Sequence, residues 1–336
     1  MKSILYIGNN LKTKSSNVSS IQVLGGFLEQ EGFRMYYASS KANKLLRLFD
    51  MVLALIRYKK RIDYIIIDTY STHNFYFALI ISQICRLFKL RYIPNLNGGN
   101  LPARLTGNPK LSSLIFRNAY INVSPSYYLK DAFYQHGHKN VKYIPNSIKI
   151  NNYKYKERSY DQIKLLWVRS FSQIYNPELA VRVQRKLIDL GFQTDLCMVG
   201  PDSDGSLNRV KSLAKKLKVD TIFTGKLTKK EWIALSEDYN IFINSTNFDN
   251  APVSVIEAMA LGLPIVSTNV GGLPYLIIDH VEGVLVEPNN LDGMVQAIIN
   301  IVFDHKFTQT ITSNARKKVE QFDWQVVKHA WFEVLV

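Results

Sequence analysis

The residues best suited to do chemistry cluster between positions 244 and 277, where a polar loop, a short apolar run and a pair of glycines follow one another. Asp249 and Glu257 stand eight residues apart, with Pro252 between them. A proline there suits the first turn of a helix, because its fixed φ is helical and its missing N–H would be unbonded anyway. The amides of Val253 and Ser254 are then free at the helix start, which makes an anion site. Glu257 falls about one turn further along. Gly262 ends the helix, Pro264 opens the next strand, and Gly271-Gly272 forms a second tight turn. Two such turns at the carboxyl ends of neighbouring strands match the needs of a diphosphate. The plainer alternative is a capped helix carrying a solvated glutamate.

Other stretches exclude other chemistries. The first strand–turn, Ile7-Gly8-Asn9-Asn10, lacks Gly-x-Gly-x-x-Gly, and Gly25-Gly26 comes too late to supply it, so a nicotinamide dehydrogenase is not expected. No Gly-x-x-x-x-Gly-Lys-Ser/Thr occurs. Asp202-Ser203-Asp204 has the form of a metal-binding acid pair but reads as a loop after a strand, and His136 and His138 lack a third ligand, so no metal site is expected. Cys85 and Cys197 lie far apart in apolar segments, against a disulfide framework or a cysteine zinc site and in keeping with a reducing compartment.

The elements that must position these residues follow from hydropathy patterning. Short apolar runs at 4–7, 35–38, 64–67, 92–94, 120–123 and 141–144 read as buried strands, separated by helical spacing at 18–30, 44–59, 75–87 and 125–135. A second series places strands at 165–168, 196–199, 221–223, 241–243, 265–267 and 284–286, with helices including 177–189, 210–218 and 253–261. Beyond 291 the pattern is helical. Alternation of this kind predicts parallel sheets covered by helices on both faces. The fold class expected is α/β, with two Rossmann-like parallel-sheet domains facing each other across a cleft: residues 1–150, a polar linker at 151–162, and 163–321. The aromatic stripe Phe322, Trp324, Trp331 and Phe332 predicts a final helix, about 322–336, packing back on the first domain.

At 336 residues and 47% apolar composition the chain can bury two cores. Its net charge of +15 is uneven: residues 1–160 carry 24 Lys and Arg against 7 Asp and Glu, or +17, and the remainder carries 18 against 20, or −2. The first domain is therefore expected to face something anionic, or else to present a solvated lysine-rich surface. The helical stretch 44–61 interleaves Leu45, Leu46, Leu48, Phe49, Val52, Leu53, Leu55 and Ile56 with Lys44, Arg47, Arg57, Lys59, Lys60 and Arg61. It fits an interfacial helix, and equally a sheet-packed helix with a charged rim. The longest apolar stretches fall short of the roughly 20 residues a spanning helix needs, and the opening residues are too polar for a signal peptide, so a cytoplasmic protein is expected.

The segment 249–272 resembles the family-4 glycosyltransferases, retaining enzymes of the GT-B fold marked by Glu-x7-Glu and a following Gly-x-Pro strand. Here the first acid is Asp249 and the second Glu257, with Gly262-Leu263-Pro264 after them. Tyr143-Ile144-Pro145-Asn146-Ser147-Ile148 resembles the family's interdomain turn, and Val168-Arg169-Ser170 its Gly-Arg loop. Asn97-Gly98-Gly99-Asn100-Leu101-Pro102-Ala103-Arg104 is similar to the acceptor-domain loop of members that build bacterial surface polysaccharides, lipopolysaccharide or capsule.

The resemblance implies a metal-independent transferase, without cofactor, that moves a sugar from a nucleotide-diphosphate sugar to a hydroxyl of a lipid-linked glycan. It implies that Arg169 binds the diphosphate and that Asp249 binds hydroxyls of the donor sugar. The amides of Val253 and Ser254 would hold the distal phosphate, Glu257 would accept from the ribose hydroxyls, and Gly225 and Lys226 would border the base. Asn97, Gly98, Gly99, Ser15 and Ser16 would line the acceptor side. Three positions depart from the family: Tyr175 stands where a lysine is usual, Ser15-Ser16 where two glycines are usual, and Asn97 where a histidine is usual. A neutral amide cannot shuttle protons, so Asn97 can only position. The basic first domain is expected to meet the anionic inner face of a membrane. The alternative from another class is a nucleic-acid or anionic-polymer binding protein, for which no RNA or DNA motif is present.

Overall fold

The computed structural model describes residues 2–11 and 19–336. The chain divides into two units, residues 1–147 with 324–336, and 148–323. The first unit holds strands β1 (Ser3–Ile7), β2 (Arg34–Ala38), β3 (Tyr64–Thr69), β4 (Tyr92–Leu96), β5 (Asn122–Ser124) and β6 (Val141–Tyr143), all parallel, in the order β2-β1-β3-β4-β5-β6. The second holds β7 (Ile163–Val168), β8 (Thr194–Val199), β9 (Thr221–Gly225), β10 (Ile241–Asn244), β11 (Ile265–Thr268) and β12 (Val284–Val286), also parallel, in the order β12-β11-β10-β7-β8-β9. The expected strands are present in both series, with ends shifted by a few residues at most.

Two-sided burial explains why these strands read as continuous apolar runs rather than alternating ones. In the first unit Ile4, Tyr6, Tyr64 and Ile66 pack towards helix Ser20–Gln30, while Leu5, Ile7, Ile65 and Ile67 pack towards Met51, Leu55 and Ile81 on the other face. In the second unit Leu165, Trp167, Leu196, Met198, Ile241 and Ile243 share one core, and Leu166, Cys197, Val199 and Phe242 the other.

Helix Trp324–Leu335 belongs to the first unit. Trp324 is 1% exposed, stacks on Phe27 with ring centres 4.8 Å apart, and its indole N–H donates to Glu31 Oε1 at 2.9 Å.

Residues 151–162, expected as a linker, lie instead within the second unit as a strap held by specific bonds. Lys156 N donates to Leu261 O at 3.3 Å, and the half-buried Arg158 guanidinium donates to the carbonyls of Ser236, Tyr239 and Leu261. Arg316 ties the strap down from the far side, donating to Tyr153 O at 2.7 Å and Ala260 O at 2.6 Å. The boundary itself falls at 147–148. Polarity misled here because most of these side chains do face water, while the Arg158 side chain and the strap's own backbone are bonded to helix and strand ends.

Candidate active site

Strand order in the second unit reverses between β7 and β10, and open α/β sheets bind ligands outside the carboxyl ends of the strands at such a point. The loops after these two strands are laced together. Ser245 Oγ donates to Tyr175 O at 2.9 Å and to Asn176 O at 2.8 Å, Thr246 Oγ1 donates to Ile174 O at 3.2 Å, and Asn247 N donates to the same carbonyl at 2.8 Å.

Arg169, one residue beyond β7, and Asp249, in the loop after β10, form an ion pair through Nη2 and Oδ2. The Arg169 guanidinium lies 4.3 Å from the centre of the Tyr175 ring. Burial lowers its pKa from the ordinary arginine value, and Tyr175 partly offsets this. The buried Nε donor of Arg169 has no hydrogen-bond partner among the described residues. The expected arginine and acid are therefore together, engaged with each other.

The second expected turn sits directly against the first. Gly272 N donates to Asp249 O at 3.0 Å, and a side chain on Gly271 or Gly272 would collide with the carbonyl of Asp249 or Asn250. Gly271 also takes φ +54°, a region that disfavours a Cβ. Helix Val253–Ala260 starts from this junction with Pro252 as its cap. Its first backbone donors with a partner inside the helix are Val255 and Ile256, both to Pro252 O, which leaves the Val253 and Ser254 amides at the open end. The Ser254 hydroxyl is buried without a hydrogen-bond partner among the described residues.

Glu257 lies deeper than expected, at 3% exposure. Its Oε1 accepts from Tyr153 Oη at 2.7 Å and is paired with Lys229 Nζ. Burial raises its pKa, opposed by the Lys229 charge and by the hydrogen bonds from Lys229 and Tyr153. Lys229, a residue the sequence reading did not single out, is thus the cation after β9 that reaches the acid. Gly225 closes β9 with φ +72° and its carbonyl accepts from Gly200 N at 2.8 Å, while Lys226 is exposed. The signal for Lys229 was its place at the first position of helix Lys229–Leu235, behind the Thr228–Glu231 capping box.

Asp202 and Asp204 serve as tethers. Asp204 accepts from Ser172 Oγ at 3.0 Å and Gln173 N at 2.9 Å, which anchors the loop that carries Arg169, and Asp202 accepts from Gly205 N at 3.0 Å. Among the described residues no group of three or more His, Cys, Asp or Glu is arranged for a metal ion.

Asn97, Gly98 and Gly99 lie in the first unit after β4. The Asn97 amide donates to Asp68 Oδ1 at 2.7 Å, and Gly98 approaches the backbone of Tyr70 and Ser71 too closely for a side chain. Ser15 and Ser16 lie outside the described residues.

Comparison with known proteins bears on this arrangement. Residues 149–318 match the family model for glycosyl transferases group 1. Among curated proteins the chain is 28% identical over 107 residues to a sulfoquinovosyl transferase of Arabidopsis thaliana, covering 31% of this chain and 21% of that one. The chain thus spans about a fifth of that relative, and less than half of the next ones it matches. Among solved structures, a sucrose-phosphate synthase from Thermosynechococcus elongatus superposes with a TM-score of 0.84 at 18% identity, covering 99% of this chain and 98% of that one. Anabaena Alr3699/HepE, solved in complex with UDP-glucose, gives 0.80 at 17% identity, covering 100% and 99%. At these identities the likeness establishes the GT-B fold.

Proposed function

Because the chain belongs to the glycosyl transferases group 1 family, we propose that it moves a sugar from a nucleotide-diphosphate donor to a hydroxyl of an acceptor glycan, retaining anomeric configuration. The observation that carries this reading is the junction at the β7/β10 switch point. There Arg169, with its unpartnered Nε, pairs with Asp249, whose backbone the Gly271-Gly272 turn packs against, and the open amides of Val253 and Ser254 and the Ser254 hydroxyl follow a few residues on. These donors suit the charge that develops on a leaving diphosphate, and one preorganised donor of this kind is typically worth about 3–4 kcal/mol. Asp249 is assigned to donor-sugar hydroxyls and Glu257, poised by Tyr153 and Lys229, to the ribose. The leaving phosphate takes the acceptor proton. A fold neighbour solved with UDP-glucose supports a nucleotide sugar as donor. The tethering roles of Asp202 and Asp204 support a reaction that needs no metal at that loop.

The acceptor is proposed to be a lipid-linked glycan of surface-polysaccharide synthesis, met at the inner face of a membrane. Among the described residues no helix is long and apolar enough to cross one. Helix Lys44–Tyr58 supports attachment from the side: Leu45, Leu46, Phe49, Leu53 and Ile56 are 80%, 58%, 62%, 48% and 46% exposed, beside Lys44, Arg57, Lys59, Lys60 and Arg61.

Thermal unfolding against UDP-, GDP-, ADP- and CDP-linked sugars tests the donor assignment. A true donor at a hundred times its Kd adds about 2.7 kcal/mol of stability. No shift with any of the four overturns the reading.

A further inference from the structure

Glu257 receives its bonds on one oxygen. Oε1 accepts from Tyr153 Oη at 2.7 Å and pairs with Lys229 Nζ, and none of the described residues bonds Oε2. A carboxylate offers about four acceptor positions, two on each oxygen. Oε1 is therefore filled, and the positions left lie side by side on Oε2, which suits neighbouring hydroxyls. The two donors hold this orientation unequally. Lys229 is half-exposed and sits on a flexible four-carbon stem. Tyr153 is buried, with its ring in the core that Ile256, Met259 and Leu261 share. Burial and the facing Glu257 charge raise its pKa, so the phenol keeps its proton and donates.

The backbone of Tyr153 is itself fixed on both sides. Its N–H donates to Ile150 O at 3.0 Å, and Ile150 N donates in turn to Asp323 Oδ2 at 2.7 Å. Its carbonyl accepts from Arg316 Nη1, which also donates to the carbonyl of Ala260, the last residue of the helix that carries Glu257. Arg316 stands on helix His305–Glu320, where Glu320 Oε1 accepts from its Nε at 2.9 Å. One guanidinium thus sets the strap residue that bears the phenol against the helix that bears the acid.

We infer that Tyr153 and Arg316 are positioning residues for the ribose of the donor: Tyr153 holds Oε1 of Glu257 so that Oε2 meets the ribose hydroxyls, and Arg316 locks Tyr153 to the helix of Glu257. The inference rests on the assignment of Glu257 to the ribose. Neither residue touches the nucleotide; both act through the orientation of one carboxylate, so their effect is confined to ligands that carry the two hydroxyls.

Calorimetric titration with UDP, GDP and ADP, each beside its 2′,3′-dideoxy counterpart, tests this. Wild type should bind at least one ribonucleotide about tenfold more tightly than its dideoxy form, the scale of two hydrogen bonds. Tyr153→Phe keeps the buried ring and removes only the donor. It should weaken the ribonucleotide about fivefold and the dideoxy form by less than about twofold. Arg316→Gln should narrow the preference in the same way. Arg316→Lys, which keeps the charge, should restore part of it and guards against a glutamine variant that does not fold. A merely structural loss would weaken both nucleotides alike. Full preference in Tyr153→Phe or Arg316→Gln, or an equal loss with both nucleotides, overturns the positioning. If wild type binds the two forms alike, the ribose assignment of Glu257 fails and the positioning with it. No binding of any of the six overturns the donor reading itself, and with it this inference.

Discussion

Arg169 holds its guanidinium 4.3 Å from the centre of the Tyr175 ring while paired with Asp249. The resemblance implies a lysine where this chain carries Tyr175, and here the arginine meets a ring at that position. A cation over an aromatic face is worth about 0.5–2 kcal/mol, more as it is desolvated, and the ring packs against the core below. Arg169→Ala should lower turnover by about a hundredfold or more. Tyr175→Phe should retain most activity, and Tyr175→Leu should lose roughly tenfold in turnover with a smaller change in donor KM. Steady-state kinetics on the folded variants decide this. A leucine variant with full turnover would show that the ring does not hold the arginine.

Glu257 offers a pH signature. Burial holds its pKa above the ordinary carboxyl value, so the unfolded chain ionises it first as pH rises. The native state therefore loses stability between the ordinary and the raised value. Nucleotide binding through ribose hydroxyls needs the ionised form, so affinity should climb with pH through the raised pKa. Lys229→Met removes the largest opposing influence and should move that midpoint to higher pH. Glu257→Gln should weaken binding about tenfold and flatten the profile. Calorimetric titration with the stabilising nucleotide from pH 5 to 8 gives the answer; a midpoint indifferent to Lys229 would break the assignment.

Turnover should survive EDTA within a factor of two, since Asp204 is committed to Ser172 and Gln173 and Asp202 to Gly205. Complete loss restored by a divalent cation would reassign both aspartates.

Attachment to anionic lipid should be visible by sedimentation with vesicles. Each Lys or Arg near such a surface contributes on the order of 1 kcal/mol, and the effect fades within a Debye length. Binding should need anionic lipid, fall steeply with salt, and drop when Arg57, Lys59, Lys60 and Arg61 become serine. Equal binding to neutral vesicles, or none at low salt, would leave this charge as solvation.

What the sequence disclosed was local. Apolar runs located the strands because burial on both faces leaves few polar residues inside them, and Pro252, Gly262 and Gly271-Gly272 announced their turns through backbone geometry. Spacing along one element placed Glu257 one turn into its helix. Contacts between elements distant in the chain stayed hidden. Nothing in a row of lysines tells Lys226 from Lys229 until the helix start after β9 is set beside Glu257. Asp68, amid a strand of isoleucines, declares itself only when Tyr6, Asn95 and Asn97 converge on it from two other strands. The strap at 151–162 is polar because most of it faces water, and the Arg158 bonds that tie it to the second unit leave no mark in composition.

The return of helix Trp324–Leu335 to the first unit has a consequence for biosynthesis. The Trp324 ring on Phe27, with Val327, Trp331, Val334 and Leu335 buried in the same core, arrives only after the 176 residues that follow Ser147 have been made. At roughly 5–20 residues per second a ribosome spends on the order of ten to thirty seconds on that interval. The second unit, contiguous from 148 to 323, can finish folding first, while the Phe27 face of helix Ser20–Gln30 that Trp324 covers waits for it. A ribosome stalled before Trp324 would therefore present that face to chaperones, although every strand of both sheets had already emerged.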